Sequence, residues 1–371
     1  MAYRLFLFLH RWSGIIAAAL IVVIGVTGSV LVFRDSLDRS LNAEMLEVAP
    51  GPQRLAPDEI VARVQASFQD AQVTALLPYE DPTRAWTVFL GRRMVYVNPY
   101  TGDITGTRTR GEGGFDRRGF VPLMHGLHHD LLLEAPGHWL VAGTGLVWMV
   151  LSLAGIYLSI KQAGGFGAAF GVRADVNLKR LFVDLHRSVG LVTVVFAVAL
   201  SITGIYLGVR QPATQLVSVF SQVTPPPERV LPDAPVDRPV GFGSAIAAAT
   251  AAIPGASVQS VFAVRAKGLY RVRVTKPVER FVYVSMQDAA VVKVRDPRQG
   301  TAGDVFVAWQ KPIHTGQAFG AAGEAVAFLM GLLPLGFAIT GIYLWLARRR
   351  SRTKRTRQQP SGSQPSAISN L

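Results

Sequence analysis

HRWSGIIAAALIVVIGVTGSVLVF, residues 10–33, decides the fold. From Trp12 to Phe33 it runs 22 residues without a charged side chain. A helix needs about 20 such residues to cross the roughly 30 Å hydrocarbon core of a bilayer. Three more windows of this kind follow, residues 139–160 and 188–209 with 22 residues each and 325–347 with 23. The composition agrees: 371 residues, 50% hydrophobic, 17% charged, mean hydropathy +0.30, where soluble domains carry about 25% charge. The first window is long for a secretory signal and lacks a small-x-small cleavage site. It is therefore expected to remain as a span, giving an integral membrane α-helical protein with four transmembrane helices.

The chain has no cysteine. That excludes disulfides, thiolate iron–sulfur clusters, Cys-rich zinc sites and covalently attached c-type haem. Any metal or haem must be held by His, Met, Tyr or carboxylate. A net charge of +14 suggests nucleic acid until it is located. Seven basic residues lie between 348 and 357, directly after the last apolar window, where a membrane protein keeps its cytoplasmic anchor. The tail, residues 348–371, is expected to be disordered and to contact anionic lipids, not nucleic acid.

Short connections set the orientation. Arg4 and Arg11 precede the first span, and Lys161, Arg173, Lys179, Arg180 and Arg187 fill the connection between spans two and three. Positive-inside bias puts both termini and this connection in the cytoplasm. The long connections, about residues 34–135 and 210–320, then lie outside, in the periplasm if the span is through a bacterial inner membrane. In the first, Pro57, Asp58 and Glu59 open a helix pattern reaching Phe68. Strand-like segments follow at 86–90 and 94–98, then a Pro-Tyr-Thr-Gly turn at 99–102. In the second, residues 243–253 read as a helix, and 258–264, 268–275 and 280–285 as strands. Residues 224–239 are Pro-rich and read as a linker.

An internal repeat organises the rest. His10-Arg11-x-x-Gly14 returns as His186-Arg187-x-x-Gly190, and Thr27-Gly28 as Thr203-Gly204, both at an offset of 176. Leu123-Met124-His125 sits like Pro312-Ile313-His314, and Gly155-Ile156-Tyr157-Leu158 like Gly341-Ile342-Tyr343-Leu344. Each unit is span, small α+β domain, His-bearing approach, span. The two units run in the same direction, a tandem parallel duplication.

The His-Arg-Trp-x-Gly start, the Val95-Tyr96-Val97-Asn98-Pro99-x-Thr101-Gly102 strand-turn, the segment from Pro312 and His314 to Phe319-Gly320, and the closing Thr340-Gly341-Ile342-Tyr343-Leu344-Trp345 resemble the PepSY-associated transmembrane family. The resemblance covers about residues 3–350. It implies two periplasmic PepSY-like domains and a role linked to iron uptake. Some members are inner-membrane ferric-siderophore reductases that hold two b-type haems; others are linked to peptidase inhibition or to flavin reductases. The expected organisation is span one in residues 1–34, PepSY-like domain one in 35–122, approach and span two in 123–161, a cytoplasmic loop in 162–180 and span three in 181–210. The linker occupies 211–240, PepSY-like domain two 241–308, approach and span four 309–347, and the tail 348–371.

The seven histidines carry the candidate chemistry. His10 and His186 begin spans one and three at the cytoplasmic end; His125 and His314 precede spans two and four at the periplasmic side. One imidazole pair per face would close both axial positions of a haem iron, a six-coordinate electron-transfer centre. The alternative is interfacial His with its polar edge in the headgroups. Steps of three and four from His10 reach Gly14, Ala17, Ala18, Ile21, Gly25 and Gly28; from His186 they reach Gly190, Thr193, Ala197, Ser201 and Gly204. Such small-residue faces suit a flat macrocycle or close helix packing. His128 and His129 lie three and four residues past His125, a cluster for a transition metal or solvated loop polarity. His128 and His138 are reserve ligands. Arg11 and Arg187 suit haem propionates or lipid phosphates.

No dinucleotide or Walker glycine motif, no His-Glu-x-x-His and no Gly-x-Ser-x-Gly occurs. Three functions remain open. One is a haem-b protein reducing periplasmic ferric siderophore, fed by quinol or a cytoplasmic reductase. The others are a non-catalytic PepSY binding or regulatory protein and an electron conduit for a separate redox partner.

Overall fold

The structure, a computed structural model, describes residues 1–173, 177–274 and 279–357, with side chains through Arg349. Helix α1 (Ala2–Val32) leads into α2 (Arg34–Leu41), α3 (Ala43–Leu46) and α4 (Pro57–Ser67). Strands β1 (Ala75–Leu77), β2 (Trp86–Leu90), β3 (Arg93–Val97) and β4 (Ile104–Thr109) follow, then α5 (Phe120–His129) and α6 (Glu134–Ala163). The second half runs the same way: α7 (Leu178–Gly208), α8 (Arg210–Phe220), α9 (Pro227–Val230) and α10 (Phe242–Ala252). Strands β5 (Val258–Val264), β6 (Leu269–Val274), β7 (Arg280–Ser285) and β8 (Val291–Arg295) come next, then α11 (Ala302–His314) and α12 (Gly320–Arg357).

Four helical stretches, α1, α6, α7 and Gln317–Arg349, are long and apolar enough to cross a membrane. The chain is a multi-pass membrane protein. Local chemistry sets the helix limits. The Asn177 side chain accepts the Arg180 N–H to start α7, and Gly164 ends α6 at φ 83°, where a Cβ would be strained. The four helices close a ring, α1 packing on α6 and α12, and α7 on the same two. At the α1–α12 crossing a Cβ on Gly25 would stand 2.6 Å from the Gly331 carbonyl oxygen, so glycine there permits backbone contact.

Outside the ring, both long connections contribute to a single antiparallel sheet, ordered β4-β3-β2-β1-β5-β6-β7-β8. The expectation of two separate small sheets does not describe it. β1 pairs with β5 through Ala75–Phe262 and Leu76–Val261, so each unit covers the other's free edge. One core serves both, with Ile60 and Val64 of α4, Phe242 of α10, and Val88, Val261 and Val272 of the sheet all buried. Each such Val or Ile contributes about 2 kcal/mol. Asp58 of α4 joins the halves again by accepting the Gly243 N–H at 3.0 Å, at the start of α10.

α2 fastens this domain to the first span. Asp35 pairs with Arg84 at 2.6 Å, Asp38 with Arg108 at 2.9 Å and Arg39 with Asp81 at 2.7 Å. The basic stretch beginning at Arg348 continues α12 as helix to Arg357 and is not a disordered tail over those residues. The remainder of the expected tail, 358–371, lies outside the described residues.

Candidate functional site: two histidine pairs

One imidazole pair stands between α1 and α7 of the ring, and another between the adjoining helices α5 and α11. His10 and His186 face each other with ring centroids 6.4 Å apart, and His128 and His314 with centroids 6.0 Å apart. Two imidazoles bound to one metal through nitrogens at about 2 Å would have centroids about 6 Å apart. The first pair is the one expected. The second corrects the expectation, because His314 meets His128 and not His125. His125 instead stacks on His129 with centroids 5.1 Å apart.

The correction has a cause in register. The Gly155 and Gly341 motifs are 186 residues apart, and the same offset carries His128 onto His314. Contacts follow that register. His128 Nδ1 donates to the Ile24 carbonyl at 2.8 Å. Its counterpart His314 Nδ1 lies 3.0 Å from Thr203 Oγ1, whose own proton goes to the Ala199 carbonyl. His186 Nδ1 lies 2.8 Å from Thr340 Oγ1, which donates to the Gly336 carbonyl. In all three rings Nδ1 carries the proton and Nε2 keeps its lone pair, the tautomer a metal ligand needs. His10 departs from the pattern: Ala154 stands where the repeat has Thr340, so its buried Nδ1 meets no threonine hydroxyl.

Glycines make room for each ring. A Cβ on Gly28 would lie 2.7 Å from His128 Cε1, and one on Gly204 3.1 Å from His314 Cε1. A Cβ on Gly155 would lie 3.8 Å from His10 Cε1, and one on Gly341 3.9 Å from His186 Cε1. These contacts account for the repeated Thr-Gly and Gly-Ile-Tyr-Leu motifs. Burial pushes the His314 imidazolium down to about 4 and lowers His128 as well, which keeps both neutral.

A cavity of about 250 Å³ opens beside the first pair, lined by Gly14, Ala18, Ile21, Gly190, Thr193 and Ala197 among others. The small-residue faces therefore divide by role. Gly14 and Gly190 leave space, Gly25 packs helix on helix, and Gly28 and Gly204 support the second pair.

Arg11 and Arg187 also line this cavity, with unequal freedom. Arg187 is buried and committed, donating to the carbonyls of Ala169 at 3.0 Å and Gly171 at 2.7 Å and pairing with Asp184 at 3.1 Å. Arg11 has a buried Nε without a partner, a donor left for an anionic group. Sequence reasoning passed over Asp184, fully buried among Arg173, Arg180 and Arg187, and over Thr340. A lone acid beside three arginines at a span end was the available signal. His138, the other reserve ligand, meets His129 with centroids 4.6 Å apart and stands apart from both pairs.

No curated protein matches the chain significantly. The family model of the PepSY-associated TM region matches residues 7–348, from just before the first histidine to the start of the basic stretch. With nearly the whole chain covered, the protein belongs to the PepSY-associated TM family.

Proposed function

We propose that this chain is a haem-b protein of the bacterial inner membrane that passes electrons outward to reduce periplasmic ferric-siderophore iron(III) to iron(II). The observation that carries the reading is the pair of imidazole couples, 6.4 and 6.0 Å between centroids. Three of the four rings also have Nδ1 engaged and Nε2 free. The residues fit haem at His10 and His186: facing imidazoles, an adjoining cavity floored by glycine, and Arg11 with an unused buried donor for a propionate. At His128 and His314 the ring spacing fits in the same way. Held between these imidazoles, haem b would supply a one-electron centre suited to electron transfer.

The chain's own part is positioning and burial. The Thr340, Thr203 and Ile24 oxygens fix three ring orientations, and the apolar helix faces exclude water, which tunes potential. On this reading one pair lies toward each membrane face, with electrons entering from quinol or a cytoplasmic reductase on the His10 side. Hard oxygen chelators hold iron(III) far more firmly than iron(II), so reduction releases the metal.

The test is direct. Purified protein, reduced anaerobically, is mixed with a ferric hydroxamate in the presence of an iron(II) trap. Reoxidation of the protein with matching iron(II) formation is expected; a reduced spectrum that persists overturns the reading. Reporter fusions after Leu371 and near Gly111 check the orientation, the first active only as a cytoplasmic type and the second only as a periplasmic type.

A further inference from the structure

Beside the second pair, at the C-terminal end of α5, lies a cluster that the haem reading does not use. Ligand atoms of His129, Asp130 and His138 all fall within 4.8 Å of one another. We propose that these three residues form a site for a divalent first-row transition-metal ion. The assignment of iron(II) as its occupant rests on the proposed reduction; the site itself does not.

The donor set is two imidazoles and one carboxylate, the combination that iron(II) and zinc accept in open sites. Two of the donors are oriented by hydrogen bonds. His138 Nδ1 lies 3.3 Å from the His129 carbonyl oxygen, which only accepts, so Nδ1 carries the proton and Nε2 is free to ligate. Asp130 Oδ1 accepts the Leu132 N–H at 2.9 Å, while Oδ2 stands 3.8 Å from His129 Nδ1. A single ion between these groups would satisfy all three. His129 is 44% exposed at its side chain, so an ion has a path in and out.

The backbone is bent to build this cluster. Among the described residues only four non-glycine positions have positive φ, and three of them, Leu131, Leu132 and Glu134, lie between Asp130 and His138. Such conformations are unfavourable for side chains with a Cβ and persist where the surroundings impose them. They turn the chain back so that His138 in the first turns of α6 reaches His129 at the end of α5. Gly137 is buried where any Cβ would collide with the Asp130 carbonyl, which allows the close return. Asp130 is also the C-cap of α5, whose terminal carbonyls favour a cation. Arg210, which acts on His129, opposes it, and the Asp130 carboxylate offsets that charge.

On the proposed function, an ion freed from its chelate next to His128 and His314 would meet this site one residue away on the same helix. The experiment uses the full-length protein, made without a polyhistidine tag, and Co²⁺ as the probe. Ligand-field absorption and elemental analysis report metal stoichiometry, and haem content is measured on the same samples. One Co²⁺ per chain is expected. It should be lost in His129→Ala and His138→Ala, and Asp130→Asn, which keeps the Leu132 acceptor, should bind it at least tenfold more weakly. Haem content and thermal midpoint should stay as in the wild type. Wild-type protein that takes up no Co²⁺, or a folded His129→Ala/His138→Ala double variant that binds it unchanged, overturns the site. Wild-type protein that carries no haem yet binds one Co²⁺ would count against the haem reading alone.

Discussion

Replacing Gly28 with Ala tests how closely the helices hold the second pair. The new Cβ would lie 2.7 Å from His128 Cε1 and 3.0 Å from Nδ1, whereas ordinary contact begins near 3.4 Å. The ring must therefore retreat by about 0.7 Å, stretching its 2.8 Å bond to the Ile24 carbonyl to about 3.5 Å, beyond useful length. Losing that bond costs about 1 kcal/mol and the overpacking a further 1–3, against a helix-propensity gain of about 1. The net destabilisation is about 1–3 kcal/mol, directed at His128 and its spacing from His314. Gly204→Ala, at 3.1 Å, should act in the same direction and more weakly. Gly155→Ala and Gly341→Ala, with 3.8 and 3.9 Å available, should be tolerated. Haem content, absorption spectrum and thermal midpoint of the purified variants form the assay. Gly28→Ala should lose one of two haems and Gly155→Ala neither. If Gly28→Ala keeps full content and midpoint, or if Gly155→Ala is equally damaging, the account of these glycines is wrong.

Three further outcomes follow from contacts already described. His128→Ala should remove the second haem while His125→Ala spares it, read by haem stoichiometry, because only His128 faces His314. Asp38→Ala should destabilise the extramembrane domain by about 3 kcal/mol in chemical denaturation, since it strands Arg108, which is 8% exposed and doubly bonded to that carboxylate. Asp81 titrates at about 2, held down by the Thr83 hydroxyl and N–H and by Arg39. Its contribution is therefore present above the unfolded carboxylate value near 4 and is lost as pH falls toward 2; the Asp81→Asn protein should show a flatter stability profile in that window.

The spans were legible because absence of charge over twenty residues has one common cause. Strands β2, β5 and β7 were legible to the residue through β-branched and aromatic runs closed by turns. β1, β4 and β8 were not: β1 is Ala75-Leu76-Leu77, β4 is mostly Thr and Arg, and β8 is almost wholly exposed. Joining of the two units through β1 and β5 is a backbone pairing that no side-chain pattern announces. At the site, His10 and His186 stood out through repeated flanking residues. The choice of His125 over His128 followed a local likeness between Leu-Met-His and Pro-Ile-His, and the longer register at offset 186 selects His128. The His129, Asp130 and His138 cluster depends on three left-handed residues, a conformation Leu and Glu do not advertise.

The central claim is that both imidazole pairs are haem ligands. Pyridine haemochrome analysis of the purified full-length protein from haem-replete cells measures it most directly. Two b-type haems per chain are expected, falling to one in His186→Ala and to one in His314→Ala. Protein that carries no haem, or that keeps two in both variants, contradicts the claim.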